Sequence, residues 1–109
     1  MTYKFLADLR SEAEIPHKGI LSQVLQKDDS VNITLFGMAA GEEISGHSAP
    51  TPAILYFLDG DADLQLGDDT VHATAGSFAF MPPMLPHAIA AKTALKMLLV
   101  QIKVERSRP

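Results

Sequence analysis

Cysteine and tryptophan are absent from all 109 residues. Without a thiol there is no disulfide framework, no thiolate metal site and no cysteine nucleophile, so the chain needs no oxidising compartment. Basic charge is scarce as well, since 9 Lys and Arg stand against 13 Asp and Glu for a net charge of −4. Phosphate recognition wants a basic stripe, and the loose cluster from Lys103 to Arg108 reads as a solvated end, so nucleic acid is not an expected partner. No apolar run reaches the roughly 18 residues of a membrane span, and the N-terminal stretch lacks the apolar core of a secretory signal. The expectation is a cytoplasmic protein with no membrane contact. Also missing are a G-x-S-x-G elbow, a phosphate loop and an H-E-x-x-H helix, which leaves nucleophilic, nucleotide and zinc-protease chemistry without support. With no Gly/Ser- or Pro-rich linker to cut at, residues 1–109 are expected to form one domain.

What the chain does have is short-period alternation. Residues 31–39 place Val31, Ile33, Leu35 and Gly37 on one face and Asn32, Thr34, Phe36 and Met38 on the other, a strand covered on both sides. Residues 20–26 form the strand before it, entered from Pro16 and a turn at His17 to Gly19 and left by a turn over residues 27–30. Polar and apolar residues alternate on both sides of Gly67-Asp68-Asp69, the chemistry of a tight hairpin. Residues 54–58 are a continuous apolar run, too closely flanked by Pro50, Pro52 and Gly60 for a helix. Residues 77–81 alternate with Phe78 and Phe80 expected inward, and residues 93–104 read as a last strand because Lys96, Gln101 and Lys103 mark no polar helical face. The spacing of Phe5, Leu6 and Leu9 has a helical look, as does that of Ala94, Leu95, Met97, Leu98 and Leu99 within the last strand. Eight or so short strands make an all-β chain.

Two stretches carry more than strand pattern. Residues 41–60 space Gly41, His47 and Gly60, residues 76–87 space Gly76, Pro82 and His87, and 15 residues separate the two. At these intervals the chain resembles the cupins, whose first motif runs Gly, five residues, His, one, His, three, Glu, six, Gly. Their second runs Gly, five residues, Pro, one, Gly, two, His, three, Asn. Six anchors match, while Ala49 stands for the second His, Ala53 for the Glu, Met84 for the Gly and Ala91 for the Asn. The resemblance implies a double-stranded β-helix, or jelly-roll barrel, over about residues 18–104, with residues 1–17 as an arm. It also implies a metal centre that has lost ligands.

Strand parity then names a pocket. If His47 points inward, so do Ala49, Ala53, Leu55 and Phe57, while Leu85, His87, Ile89 and Ala91 share a face of the second motif. With Phe78 and Phe80, these residues would line an apolar cavity marked by two imidazoles. A lone histidine is ordinarily a satisfied structural group, but two at corresponding motif positions mark a site for a small organic ligand. Any metal there would be a weakly held divalent transition ion on His47 and His87, or none at all. His72 is expected at the surface and His17 in a turn, Met81 and Met84 as packing, Glu42 and Glu43 as a solvated acidic turn, and Asp59, Asp61 and Asp63 as edge-strand charge. Three functions fit: a small-molecule binder with a decayed metal site, a metal-dependent cupin enzyme (dioxygenase, isomerase or decarboxylase), or an interaction module with a filled barrel. Because residues 54–58 and 95–102 are apolar on both faces, a homodimer is expected to cover what one barrel leaves open.

Overall fold

The first hairpin shows how local chemistry sets the sheet. β1 (Ile20–Lys27) and β2 (Val31–Met38) are joined by a turn in which the Asp28 carboxylate accepts the N–H groups of Ser30 and Val31, at 2.7 and 3.0 Å. This is an Asx turn, in which the side chain imitates a backbone acceptor. The structure is a computed structural model, and it describes residues 2–103. Seven more strands follow in chain order: β3 (Glu43–His47), β4 (Ala53–Asp59), β5 (Ala62–Leu66), β6 (Asp69–Ala73), β7 (Phe78–Met81), β8 (His87–Ala91) and β9 (Leu95–Ile102). They form a five-stranded sheet of order β1-β2-β9-β4-β7 and a four-stranded sheet of order β3-β8-β5-β6, with every pairing antiparallel. The chain is all-β, a double-stranded β-helix. Among the described residues the one short helix is α1 (Leu9–Glu12), and none is long and apolar enough to cross a membrane.

The β5–β6 hairpin turns at Gly67, whose φ of 60° suits the left-handed geometry of a two-residue loop. Residues 95–102 are a strand in which Leu95 and Met97 are buried inward while Lys96 and Leu98 face out. The expected continuation to Val104, and the tail from there to Arg108, lie outside the described residues. Inward side chains of both sheets meet in one core, with Phe57, Met38, Leu55, Leu64, Leu95 and Met97 all but fully buried.

The arm is irregular apart from α1 and passes over the outer face of the larger sheet. A Cβ on Gly37 would sit 1.8 Å from the Glu14 carbonyl oxygen, so only glycine lets the arm lie this close. Leu35, on the same outer face two residues earlier, has no exposed surface. Lys96 Nζ donates to the Arg10 carbonyl at 2.9 Å and ties the arm down.

Two expectations fail here. Phe78 and Phe80 point outward, 63% and 54% exposed. Directly paired residues share a face, and β7 pairs β4 with Ala79 opposite Leu55 and Met81 opposite Ala53. Since Leu55 and Ala53 face the barrel, Ala79 and Met81 must too, and the phenylalanines stand opposite the outward Tyr56 and Ile54. Asp59, Asp61 and Asp63 are not edge-strand charge either, because Asp59 ends β4 and Asp63 lies on β5, both inner strands of their sheets, with Asp61 in the link between them. Asp61 and Asp63 flank His72 at 3.7 and 3.8 Å, and Lys92 approaches Asp63 at 3.5 Å. These groups are about half exposed, so the cluster adds little stability.

Candidate functional site

β3 and β8 are neighbours in the smaller sheet, and His47 pairs directly with His87. Their ring centroids are 4.3 Å apart with the planes tilted by 57°. His87 is buried at 9% exposure, whereas His47 stands exposed at the mouth. A bulge lies between Ile44 and His47, since three residue steps on β3 match two on β8. The extra residue, beside Gly46, turns both Ile44 and His47 toward the barrel although their odd spacing would separate them.

The two imidazoles are held alike. His47 Nδ1–H donates to the Ser45 carbonyl at 3.1 Å and His87 Nδ1–H to the Leu85 carbonyl at 3.0 Å. A carbonyl only accepts, so the Nδ1 of each ring carries the proton and the Nε2 of the neutral ring keeps its lone pair. Neither Nε2 has a hydrogen-bond partner among the described residues.

Beneath the histidines lies a cavity of about 340 Å³, lined by Ile20, Phe36, Ile44, His47, Leu55, His87, Ile89, Met97 and Leu99. Seven of these nine are apolar. A second void of about 30 Å³ shares His47, His87 and Leu99 with it and is otherwise bounded by Ala49, Thr51, Ala53, Met81, Pro82, Leu85 and Gln101. Of the pocket residues expected from parity, His47, His87, Leu55 and Ile89 line the larger cavity, and Ala49, Ala53 and Leu85 line the smaller. Phe57 lies deeper in the core and borders a separate groove of about 380 Å³ between β6 and β7, which the outward Phe78 and Phe80 also flank.

Parity from the two motifs could not find the opposite wall. Ile20, Phe36, Met97 and Leu99 come from β1, β2 and β9, far from either motif. Gln101 did carry a signal, as the one polar residue in step with Leu95, Met97 and Leu99. Its Oε1 accepts from Asn32 Nδ2 at 3.1 Å, while the buried Asn32 Oδ1 has no partner. Glu42 Oε2 accepts the Gly19 N–H at 3.2 Å, Glu43 is exposed, and neither acidic residue lines either cavity.

The residues do not fit a metal centre. Among the described residues no group of three or more His, Asp and Glu is placed to hold an ion. Where two further ligands would stand, Ala49 and Ala53 face the small void, and transition-metal sites ordinarily draw on three or four protein ligands. Met84 is 60% exposed and lines neither cavity. It has φ of 70°, in the left-handed region that favours glycine, at the position where the second motif carries Gly.

The fold is a small jelly-roll barrel with two histidines on paired strands. The cupin domain model matches residues 34–101, and the chain belongs to the cupin family. A conserved protein of unknown function from Streptococcus pyogenes is 33% identical, with 97% of this chain and 93% of that one covered and a TM-score of 0.86. A cupin superfamily protein from Desulfitobacterium hafniense is 27% identical over 95% of each chain, also with a TM-score of 0.86. A Cupin 2 conserved barrel domain protein from Leptotrichia buccalis is 28% identical, with 86% of this chain and 46% of that longer one covered and a TM-score of 0.80. No curated protein matches the sequence.

Proposed function

We propose that this cupin binds a small organic molecule in its apolar barrel pocket, with His47 and His87 as the polar anchor and without a metal centre. The observation that carries this reading is the 340 Å³ cavity with two open imidazole nitrogens in an otherwise apolar wall. Ligand pockets run from about 300 to 1,000 Å³ and pair apolar linings with a few placed polar groups. A filled barrel would have no such space, and a metal-dependent enzyme would need ligands that Ala49 and Ala53 do not supply. A cysteine-free chain is at home in the cytoplasm, where we place it. The test is titration with 2-methylnaphthalene, followed by methyl NMR. Saturable shifts at Leu55, Ile89 and Met97 are expected with this probe or with an analogue of its shape that carries a polar group, and failure of all of them to bind sinks the reading.

The working unit we propose is a homodimer joined through the outer face of the larger sheet. Tyr56, Phe78 and Phe80 are 39%, 63% and 54% exposed, which at roughly 200 Å² per aromatic side chain leaves about 300 Å² uncovered. Ile54, Leu98 and Val100 adjoin them on the same face. A standard interface buries about 800 Å² per partner, of which these three aromatics would supply more than a third. None of the six is charged, and β7 is an edge strand, so the surface that complements the patch is the same patch on a second copy. A monomeric mass by light scattering at micromolar concentration contradicts it.

A further inference from the structure

Resting on the pocket reading above, we propose that the natural ligand is a neutral, largely apolar molecule carrying a hydroxyl group, which sits between the two histidines and Gln101. Three features select that chemistry. The Nδ1–H groups of His47 and His87 are spent on the Ser45 and Leu85 carbonyls, so both rings offer the pocket an acceptor. Gln101 lines the void that the two rings share, and its Oε1 is taken by Asn32, so its amide offers N–H donors. A hydroxyl both donates and accepts, so it satisfies an imidazole and the amide at once.

Other polar groups fit worse. A carboxylate brings lone pairs against two acceptors, and no Lys or Arg lines either cavity to offset its desolvation. An ammonium finds no carboxylate, since Glu42 is committed to Gly19 and neither cavity has an acidic lining residue. A ligand with no polar group leaves the Nε2 atoms unpaired once water is displaced. Size follows from the cavity: a void of roughly 150 Å³ takes a benzene ring, so 340 Å³ takes a body about twice that size.

The experiment compares three probes of one shape, 2-naphthol, 2-methylnaphthalene and 2-naphthoate, by NMR titration and calorimetry of the whole chain. 2-Naphthol is expected to bind about tenfold tighter than 2-methylnaphthalene, the scale of one or two net hydrogen bonds, with 2-naphthoate the weakest. In the His47→Leu/His87→Leu variant the naphthol preference is expected to shrink to about twofold while 2-methylnaphthalene still binds. Equal binding of naphthol and methylnaphthalene to the parent overturns the hydroxyl assignment and leaves the pocket reading standing. Tightest binding of naphthoate overturns it in favour of an anion site. If none of the three binds, the pocket reading itself fails and takes the inference with it. Long-range 1H–15N correlations on the free protein give a separate check: both rings should show the proton on Nδ1, and an Nε2–H ring at either position overturns the assignment.

Discussion

On β4, Ala53, Leu55 and Phe57 face the barrel and are buried, while Ile54, Tyr56 and Leu58, one residue out of step, face away and stay partly open. On the neighbouring β7 the small side chain of Ala79 goes in and the bulky Phe78 and Phe80 go out. Both faces of the larger sheet are apolar, yet one closes on a pocket and the other is left partly exposed. Hydrophobicity alone therefore does not say which face is inside. The cross-strand register does, because a slip of one residue exchanges the whole set.

The sharpest way to break this comparison is to truncate one phenylalanine on each side. Phe57 has no exposed surface, so Phe57→Ala is expected to destabilise the fold by about 3–5 kcal/mol in chemical denaturation. The pair Phe78→Ser and Phe80→Ser should cost each subunit far less, within about 1 kcal/mol. Its effect belongs in assembly, where removing two central aromatic anchors should weaken the proposed dimer by roughly a hundredfold or more and give a monomer in light scattering. If the outer pair destabilises the subunit as much as Phe57→Ala does, the two faces are not distinct.

A second variant sharpens the inner face. Ala49 and Ala53 border the void shared by both histidines, so Ala49→His with Ala53→Glu puts two metal-binding groups beside His47. A structural zinc site gives about 10–16 kcal/mol over four ligands. Half the share of two ligands, about 3–4 kcal/mol, raises affinity by some 10²–10³-fold. Calorimetry with Ni²⁺ or Zn²⁺ should show that gain. Equal affinity in the parent would mean that a ligand outside this set completes the shell.

Much of the architecture was legible because strand, turn and hairpin signals are local. Gly67-Asp68-Asp69 marked the β5–β6 hairpin, and the motif spacing of His47 and His87 put both rings at one pocket, where the structure pairs them. What escaped was information carried by pairing. Phe-Ala-Phe-Met is apolar at every position, so its sequence contains no in–out contrast, and only the register with β4 orients it. Ile44 escaped because the bulge shifts parity inside β3. The pocket's far wall escaped because β1, β2 and β9 reach it through long-range contacts, with no motif to announce them.

The loop from β7 to β8 carries the chain from one sheet to the other, with Met84 exposed and Leu85 turned toward the void. Met84 N–H donates to the Ala49 carbonyl at 2.6 Å, which holds the residue at its positive φ. A non-glycine residue in that region costs about 1–2 kcal/mol, and glycine returns part of this as unfolded-state entropy. Met84→Gly should therefore raise stability by about 1 kcal/mol without changing the probe affinities. A drop in stability would show that the methionine side chain packs against something that compensates for its backbone.

The smallest expected effect lies at the turn that sets the β1–β2 register and with it the facing of β2. The Asp28 carboxylate accepts from the Gln26 side-chain amide at 2.9 Å and from the N–H groups of Ser30 and Val31. These contacts, the Gln26 one foremost, hold its pKa below the ordinary 3.8. A folded value below the unfolded one means that the carboxylate favours the fold when ionised. That contribution is complete above the unfolded value and fades as pH falls through the lowered folded value. Asp28→Asn keeps an oxygen to accept from the Ser30 and Val31 N–H groups, while it removes the charge and puts an NH2 in place of the oxygen that accepts from Gln26, so it reports what the charged carboxylate adds beyond the backbone contacts. The melting temperature of the variant should lie slightly below the parent's at neutral pH, and the gap should close as pH drops below 3.8. A gap that stays constant across that range would assign the turn's stability to neutral hydrogen bonding alone.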